Sequence, residues 1–329
     1  MCELPLLLIV IVVVALIFDF TNGAHDSANA VATIISTRVV SPRLAVSCAA
    51  LLNLAGALLG TEVARTLGGG LVLPEVVEHS QLLVLAALAA AISWNCLTWY
   101  LGIPSSSSHA LIGGLIGAAI AEAGTQALNI QGIVLKVILP MFGAPLLGFT
   151  AGFLMMWLTY WVFARSRRQK VDALYRRLQC CSAAFMATSH GLNDAQKTMG
   201  IVTLSLFTFG EIPAIDVPLW VKLSCATAMA LGTAMGGWKI IKTMGSRIFR
   251  LEPVHGFTAE ASATMVITLS SYLGAPISTT QTISSAIFGV GSTRRLSAVR
   301  WGIAGHLVTA WLLTLPHSSP PSPCLRVSV

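Results

Sequence analysis

The sequence reads GAHDSANA at residues 23–30, and a related motif, GLNDAQKT, occupies residues 191–198. The aspartates of the two motifs are 168 residues apart. Each motif is followed by a second one, YLGIPSSSSH at residues 100–109 and YLGAPISTTQ at residues 272–281, whose prolines are 172 residues apart. Two polar motifs that recur in the same order and at nearly the same spacing indicate a duplicated unit.

The composition is that of a membrane protein. Of the 329 residues, 55% are hydrophobic and 10% are charged, whereas a soluble chain has about 25% charged residues. Six apolar stretches approach the ~20 residues needed to cross a bilayer; they are 4–18, 44–61, 82–94, 133–163, 219–238 and 301–315. The first has no basic residues before it, unlike a secretory signal, and we assign it to the first span.

The net charge of +7 is placed in short joints between the apolar stretches, near residues 38–43, 165–177, 239–250 and 294–300. This placement is typical of cytoplasmic loops under the positive-inside rule, and it argues against a nucleic-acid partner. The seven cysteines show no metal-ligand spacing, so we predict neither a disulfide nor a cysteine metal site.

Placing the basic joints in the cytoplasm predicts two halves of opposite orientation. The first half covers 1–163 and the second covers 183–316, with a basic cytoplasmic linker at 164–182 and a polar tail at 317–329. Each half would have two spans, a re-entrant hairpin and a final span. The fold class is therefore an all-α polytopic membrane protein with an inverted-topology repeat, the architecture of many secondary transporters.

The re-entrant hairpins are predicted at about 82–121 and 258–292. Pro104 and Pro276 interrupt helix formation there, and the serines beside Pro104 would be costly in lipid. Broken backbone at membrane depth must be buried in protein or line a cavity, so we expect the two tips to meet near the midplane. An acidic loop at 62–78 should face outside.

Each hairpin tip has the chemistry of an anion site. Ser and Thr residues follow both prolines, and such residues cap helix N-termini. A helix start offers free N–H groups and partial positive charge, so two facing starts would suit a tetrahedral oxyanion. One such turn alone could be a capped helix, but two at matched repeat positions favour a binding site. His109 and Gln281 occupy equivalent places at the tips.

The acids of the other motif point to ion coupling. Asp26 and Asp194 lie within apolar sequence, where a carboxylate is by default a functional candidate. Two acids beside an anion would repel it, so a cation or a proton is expected. Lys197 stands where the first repeat has Asn29; it either takes the place of a bound cation or pairs with Asp194, functionally or as a structural ion pair. Glu260 is a further polar residue within a span.

With these four motifs the chain resembles the inorganic phosphate transporter (PiT) family, in which G-x-N/H-D-x-x-N and P-x-S-S/T-S/T-H/Q each occur in both halves. The likeness covers about residues 5–315, and residues 189–198 look like the bacterial low-affinity branch. The resemblance implies phosphate symport driven by protons or sodium, in some bacterial members with phosphate carried as a complex with a divalent metal. The tail at 317–329 departs from the family, in which the last helix continues apolar.

The resemblance also implies roles for individual residues. It places phosphate contacts on the tip residues Ser106, Ser107, Ser108, Ser278, Thr279 and Thr280, with Gln281 closing the second tip motif. It places the coupling ion or proton at Asp26, Asn29, Asn193 and Asp194. Lys197 replaces the second asparagine of the motif, which favours proton coupling, with Asp26 or Asp194 exchanging the proton.

Other functions remain open at this point. A sodium-coupled phosphate carrier, a sulfate-type permease and a channel would fit the tips as well. An intramembrane enzyme is disfavoured, since the sequence has no G-x-S-x-G or H-E-x-x-H motif. We therefore predict no catalytic residues, cofactor or metal ligands. The predicted partners are phosphate, a proton or sodium ion, and the lipid bilayer of the cell membrane, and a homo-oligomer is compatible with the sequence.

Overall fold

The protein is described by a computed structural model over residues 3–70 and 81–318. These residues form helices joined by short turns. In chain order the helices are α1 Glu3–Ser36, α2 Pro42–Ala57, α3 Glu62–Gly70, α4 Leu82–Leu101, α5 Ser107–Ala123, α6 Ile130–Val162 (with a π-helical turn at Val134–Ile138), α7 Arg168–Thr208, α8 Leu219–Met235, α9 Trp238–Lys242, α10 Pro253–Tyr272, α11 Thr279–Arg294 and α12 Trp301–His317.

Several of these helices suit a bilayer. Leu6–Ser36 within α1, all of α4 and all of α6 are long and apolar enough to cross one. The pair α2 and α3 would add a fourth span if counted together, although the two helices are bent by 69°. The remaining long helix, α7, is polar along much of its length, but its residues from Ser189 to Leu206 are buried. The polar side chains in this second part of α7 are therefore covered by protein, whereas its basic first turns are exposed.

The two predicted hairpins break where the prolines stand. In the first hairpin, α4 ends at Leu101 and is capped by Gly102, and α5 begins after the N-cap residue Ser106. In the second hairpin, α10 ends at Tyr272, just before Gly274, and α11 begins after the N-cap residue Ser278. Gly102 and Gly274 have φ values of 70° and 67°, a left-handed conformation that glycine adopts without a steric cost. Trp311 of α12 supports the first turn by donating from Nε1 to the Pro104 carbonyl at 3.1 Å.

The tips of the hairpins meet, as their motifs predicted. Gln281 Nε2 lies 3.3 Å from His109 Nδ1, and Ser108 Oγ lies 3.5 Å from the carbonyl oxygen of Ile277. The starts of α5 and α11 therefore face a common centre. Their re-entrant passage into a membrane stays a prediction, because it depends on the charge placement of the flanking segments.

The halves pack on each other reciprocally. Gly23 of α1 lies against the backbone of Met229 in α8, and Gly191 of α7 lies against the backbone of Asn53 in α2. These two crossings occupy equivalent positions of the repeat. Further glycine contacts between the halves are Gly56 with Thr188, Gly232 with Phe20, Gly113 with Leu315, and Gly148 and Gly152 with Thr282 and Ala286. In each half, the helix with the aspartate motif thus packs on the equivalent helix of the other half, which is consistent with the predicted inverted repeat.

Some segments differ from expectation. The predicted linker at 164–182 is a short joint followed by the first turns of α7, which runs without a break for 41 residues. Basic side chains are compatible with helix, so charge alone did not mark the helix start. Part of the predicted acidic loop at 62–78 is the helix α3; its remainder lies outside the described residues. The predicted tail also lies outside them from residue 319 onward. The five described cysteines are free.

Candidate functional site

The starts of α5 and α11 are capped by their own serines. Ser106 Oγ accepts the backbone N–H of His109 at 3.2 Å, and Ser278 Oγ accepts that of Gln281 at 3.3 Å. Both are residues for which the family resemblance implied phosphate contact. In this conformation they satisfy helix ends, in keeping with the preference of serine for N-caps. Of the hydroxyls that follow them, those of Ser107, Thr279 and Thr280 are directed at the carboxylates.

The first of these carboxylates, Asp26 on α1, is bound by both hairpins. Ser107 Oγ donates to Oδ2 at 2.5 Å, and Thr280 Oγ1 donates to Oδ1 at 3.2 Å. His25 Nδ1 lies 2.7 Å from Oδ1. The other ring nitrogen of His25 is 3.0 Å from Thr98 Oγ1 on α4, which fixes the ring. Asp26 thus joins α1 to the tips of both halves.

The second carboxylate, Asp194 on α7, has an equivalent position with different partners. Thr279 Oγ1 donates to Oδ2 at 3.0 Å. His190 Nε2, one turn earlier on the helix, is 3.2 Å from the same oxygen. The Lys197 ammonium contacts Oδ1, the (i, i+3) pairing that the sequence spacing predicted. The ammonium group of Lys197 therefore places a fixed positive charge beside Asp194. The equivalent residue near Asp26 is the neutral Asn29.

Lys197 makes two further contacts, which its sequence position did not reveal. Its ammonium contacts Ser108 Oγ at the first tip and lies 3.0 Å from the Ile277 carbonyl oxygen at the second. With Asp194, these are three oxygen acceptors for the three N–H donors of an ammonium. Lys197 therefore ties the two hairpin tips to α7.

The two motif asparagines behave differently. Asn29 Nδ2 donates to Thr279 Oγ1 at 3.1 Å and to Thr280 Oγ1 at 2.9 Å, so it belongs to the centre as predicted. Asn193 Nδ2 instead donates to Ser271 Oγ on α10 at 2.9 Å. Asn193 therefore holds an arm of the second hairpin, and in this conformation it does not contribute to the carboxylate cluster.

All twelve predicted site residues are at most 3% exposed, so the structure represents an occluded arrangement. The structure also brings together ligand atoms of Asp26, His190 and Asp194 within 4.8 Å of one another. This grouping could hold a cation, although we predicted no metal ligands. His190 lies within the segment 189–198 that carries part of the family resemblance, but we expected no role for it. Its signal was the (i, i+4) spacing to Asp194 on a helix.

Glu260, the other polar candidate, lies in a separate buried cluster. Its carboxylate accepts from Thr33 Oγ1 at 2.5 Å and from Gln179 Nε2 at 3.2 Å, and it contacts the Ser182 hydroxyl. These residues belong to α1, α7 and α10, two helical turns along α1 from Asp26. Glu260 therefore does not contact the tips.

The family profile and the most similar relatives that we compared all point to phosphate transporters. The sequence profile of the Phosphate transporter family matches residues 22–320. The chain is 46% identical over 317 residues to a protein of Bacillus subtilis named "Probable low-affinity inorganic phosphate transporter", covering 96% of this chain and 95% of the relative. It is 48% identical over 315 residues to a protein of the same name from Rhizobium meliloti, covering 95% and 93%.

The fold also matches a solved structure, described as "The sodium-dependent phosphate transporter". The TM-score is 0.87 at 25% sequence identity, and the match covers 98% of this chain and 100% of the solved one. The helical arrangement described above is therefore shared almost throughout with that structure.

Proposed function

The chain belongs to the phosphate transporter family, and from this premise we propose that it is a multi-pass symporter of the cell membrane that couples phosphate uptake to protons. The family assignment favours phosphate over sulfate and transport over catalysis. The proposal concerns the driving ion, the direction and the residues of the site.

The observation that carries proton coupling is the environment of Lys197. Its ammonium contacts the Asp194 carboxylate, a serine hydroxyl and a backbone carbonyl. Oxygen atoms of these three kinds are what a hard cation selects. A tethered ammonium at such a place makes an exchangeable cation there redundant, and the driving force has to come from another ion.

The phosphate would bind between the hairpin tips. The N-termini of α5 and α11 converge there, with Ser107, Ser108, Thr279 and Thr280 at their first turns. Backbone N–H groups at helix starts and hydroxyl donors are a general solution for binding a tetrahedral oxyanion. At present the hydroxyls of Ser107, Thr279 and Thr280 donate to carboxylates, and that of Ser108 contacts Lys197. Phosphate binding therefore requires the tips to part and to exchange these hydrogen bonds.

The charge of the centre explains why a second ion must accompany phosphate. Asp26 and Asp194 carry two negative charges when ionised, and Lys197 supplies one positive charge. With neutral histidines the centre is negative, and a buried anion would be repelled without further compensation. Binding a proton together with phosphate removes this repulsion, which is the physical basis of obligatory symport.

Sodium coupling is the second candidate, and two observations favour it. Ligand atoms of Asp26, His190 and Asp194 are close enough together to hold a cation. The similar solved structure is described as sodium-dependent. Lys197 argues against sodium next to Asp194, but it leaves the Asp26 side of the centre without a fixed charge.

The test is phosphate uptake into proteoliposomes under imposed proton or sodium gradients. The wild-type protein should follow the proton gradient and be indifferent to sodium. Lys197→Asn recreates the asparagine of the first repeat and should lose proton-driven uptake or become stimulated by sodium. Lys242→Asn, which changes an exposed lysine, is the matched control and should behave as wild type. Sodium-stimulated uptake by the wild type that is unaffected by collapse of the proton gradient would refute the proposal.

A further inference from the structure

We propose that Asp19 is the carboxyl group that binds the transported proton; this inference rests on the proton coupling proposed above. Asp19 lies on α1 seven residues before Asp26, so the two carboxyls share one helix face at a distance of about 10 Å along the axis. Asn22 and Asn29 continue the same polar face. Asp19 had no part in the motifs that identified the central site.

The side chain of Asp19 is buried and without a satisfied charge. It is 0% exposed, and neither of its carboxylate oxygens has a partner in ordinary hydrogen-bond geometry within the described residues. The polar side chains that face it are Asn22 on its own helix and Thr198 on α7. The hydroxyl of Thr198 is likewise buried without a hydrogen-bond partner among the described residues. The Asp19 carboxyl and the Thr198 hydroxyl thus face each other across the contact of α1 and α7, close enough to interact but outside ordinary hydrogen-bond geometry.

The charged and titratable groups around Asp19 do not compensate its charge. Asp194 and Lys197 of α7 face it, and α8 presents the thiol of Cys225. The first two have opposite signs and contact each other directly, so their combined field at Asp19 is small. Helix α4, which also packs on α1, contains no Asp, Glu, Lys, Arg or His.

These surroundings suit a proton better than a permanent charge. An ionised carboxylate buried without a hydrogen bond or counter-ion carries a large desolvation cost. Adding one proton to a carboxylate oxygen removes that charge, and the new O–H can donate to the Thr198 hydroxyl or to the Asn22 amide oxygen. No other reactant is required, and the same proton is returned to solution when the site opens to the other side.

The central acids are less suited to this role. Asp26 has Ser107, Thr280 and His25 as partners, and Asp194 has a lysine contact. Partners of this kind stabilise a negative charge. Releasing and rebinding a proton at either acid would rearrange hydrogen bonds that hold the hairpin tips, whereas protonation of Asp19 leaves the bonds of the tip hydroxyls to Asp26 and Asp194 in place.

Asn22 connects Asp19 with the phosphate site. Ser107 Oγ lies 2.6 Å from Asn22 Oδ1, and it is also the donor to Asp26. A carboxyl proton on Asp19 that engages Asn22 occupies this oxygen and leaves Asp26 as the acceptor of the Ser107 hydroxyl. Protonation of Asp19 would thereby change the hydrogen bonding of a hydroxyl that phosphate is proposed to use.

The experiment separates transport from its coupling, using the full chain in proteoliposomes. Asp19→Asn keeps the shape of the side chain and resembles its protonated form. It should exchange labelled phosphate across the membrane at a rate within about twofold of wild type. A gradient of one pH unit corresponds to about tenfold accumulation per proton; Asp19→Asn should lose this accumulation and take up one proton fewer per phosphate. Asp19→Glu restores the acid and should recover it.

Asp216→Asn is the matched control, since it neutralises an exposed aspartate that pairs with Arg65 and should leave coupling unchanged. Wild-type proton stoichiometry in Asp19→Asn would overturn the inference and leave the proposed function standing. Loss of phosphate exchange together with loss of phosphate-dependent thermal stabilisation would also overturn it, because Asp19 would then serve phosphate binding or folding. A wild-type protein that ignores the proton gradient would refute the proposed function itself.

Discussion

The hydroxyls of Ser107 and Thr279 each hold one of the two central carboxylates, and phosphate binding would make use of the same donors. A hydrogen bond to a charged group contributes about 1.5–3 kcal/mol. Ser107→Ala and Thr279→Ala should therefore each weaken phosphate binding about 10- to 100-fold. The measurement is the phosphate concentration that gives half-maximal uptake in proteoliposomes.

Ser93→Ala provides the control for these substitutions. Ser93 is an exposed serine of α4 whose hydroxyl bonds only to its own helix, at the Ala89 carbonyl, and its replacement should leave uptake unchanged. If both tip variants showed wild-type kinetics, the tips would have to be removed from the phosphate site.

Contacts between residues close in sequence could be predicted, whereas contacts made by tertiary packing could not. The pairing of Lys197 with Asp194 followed from their spacing on one helix, and the capping by Ser106 and Ser278 agrees with ordinary helix-start chemistry. The contact between Lys197 and the Ile277 carbonyl could not be predicted, because it joins residues 80 positions apart through tertiary packing. Asp19 was equally hidden, since burial without a partner is a property of the folded chain.

At the scale of helices, the crossing of α7 over α2 depends on Gly191. A Cβ placed there would overlap the backbone carbonyl of Asn53, which belongs to a helix and cannot rotate away. Gly191→Ala should therefore destabilise the protein, since overpacking typically costs about 1–3 kcal/mol and occasionally more. Thermal unfolding in detergent should show a lower Tm.

Gly143→Ala in α6 is the matched comparison, because no atom lies within 4 Å of a Cβ built at that position. Replacing an unconstrained helical glycine by alanine stabilises a helix by about 0.5–1 kcal/mol, so its Tm should be unchanged or higher. Equal Tm values for the Gly191 and Gly143 variants would show that α7 and α2 can move apart at this contact without a loss of stability.

The hairpins were the elements that the sequence predicted best, since glycine, proline and serine stand together at both breaks. The sequence analysis did not predict the start of α7 or the helix α3, because it interpreted both segments as connections between helices. Basic residues at 164–182 suggested a joint, yet lysine and arginine are good helix formers, and most of them lie in the first turns of α7. The acidic residues at 62–78 suggested a loop, whereas the structure continues from α2 into the helix α3 after a bend.

For the molecule as a whole, occlusion of the centre means that transport requires the hairpin tips to separate. The side chains of His109 and Gln281 lie 3.3 Å apart at their nitrogen atoms. With His109→Cys and Gln281→Cys in a background without the native cysteines, a short bis-methanethiosulfonate reagent should link the two thiols through a disulfide at each end. Linked protein should lose phosphate uptake and regain it on reduction. Each single-cysteine variant, treated in the same way, is the control; full uptake by the linked protein would show that the tips move together.

The reciprocal glycine crossings also bear on how the chain is made. Gly23 and Gly56 of the first half find their partners only in α8 and α7, which leave the ribosome after more than half of the chain has been translated. Until then Asp26 lacks its partner Thr280 and Asp19 lacks its neighbour Thr198, so the cost of burying these acids within a membrane is not yet fully offset. The packing of the amino-terminal segments can therefore be completed only after the second half of the chain has been made.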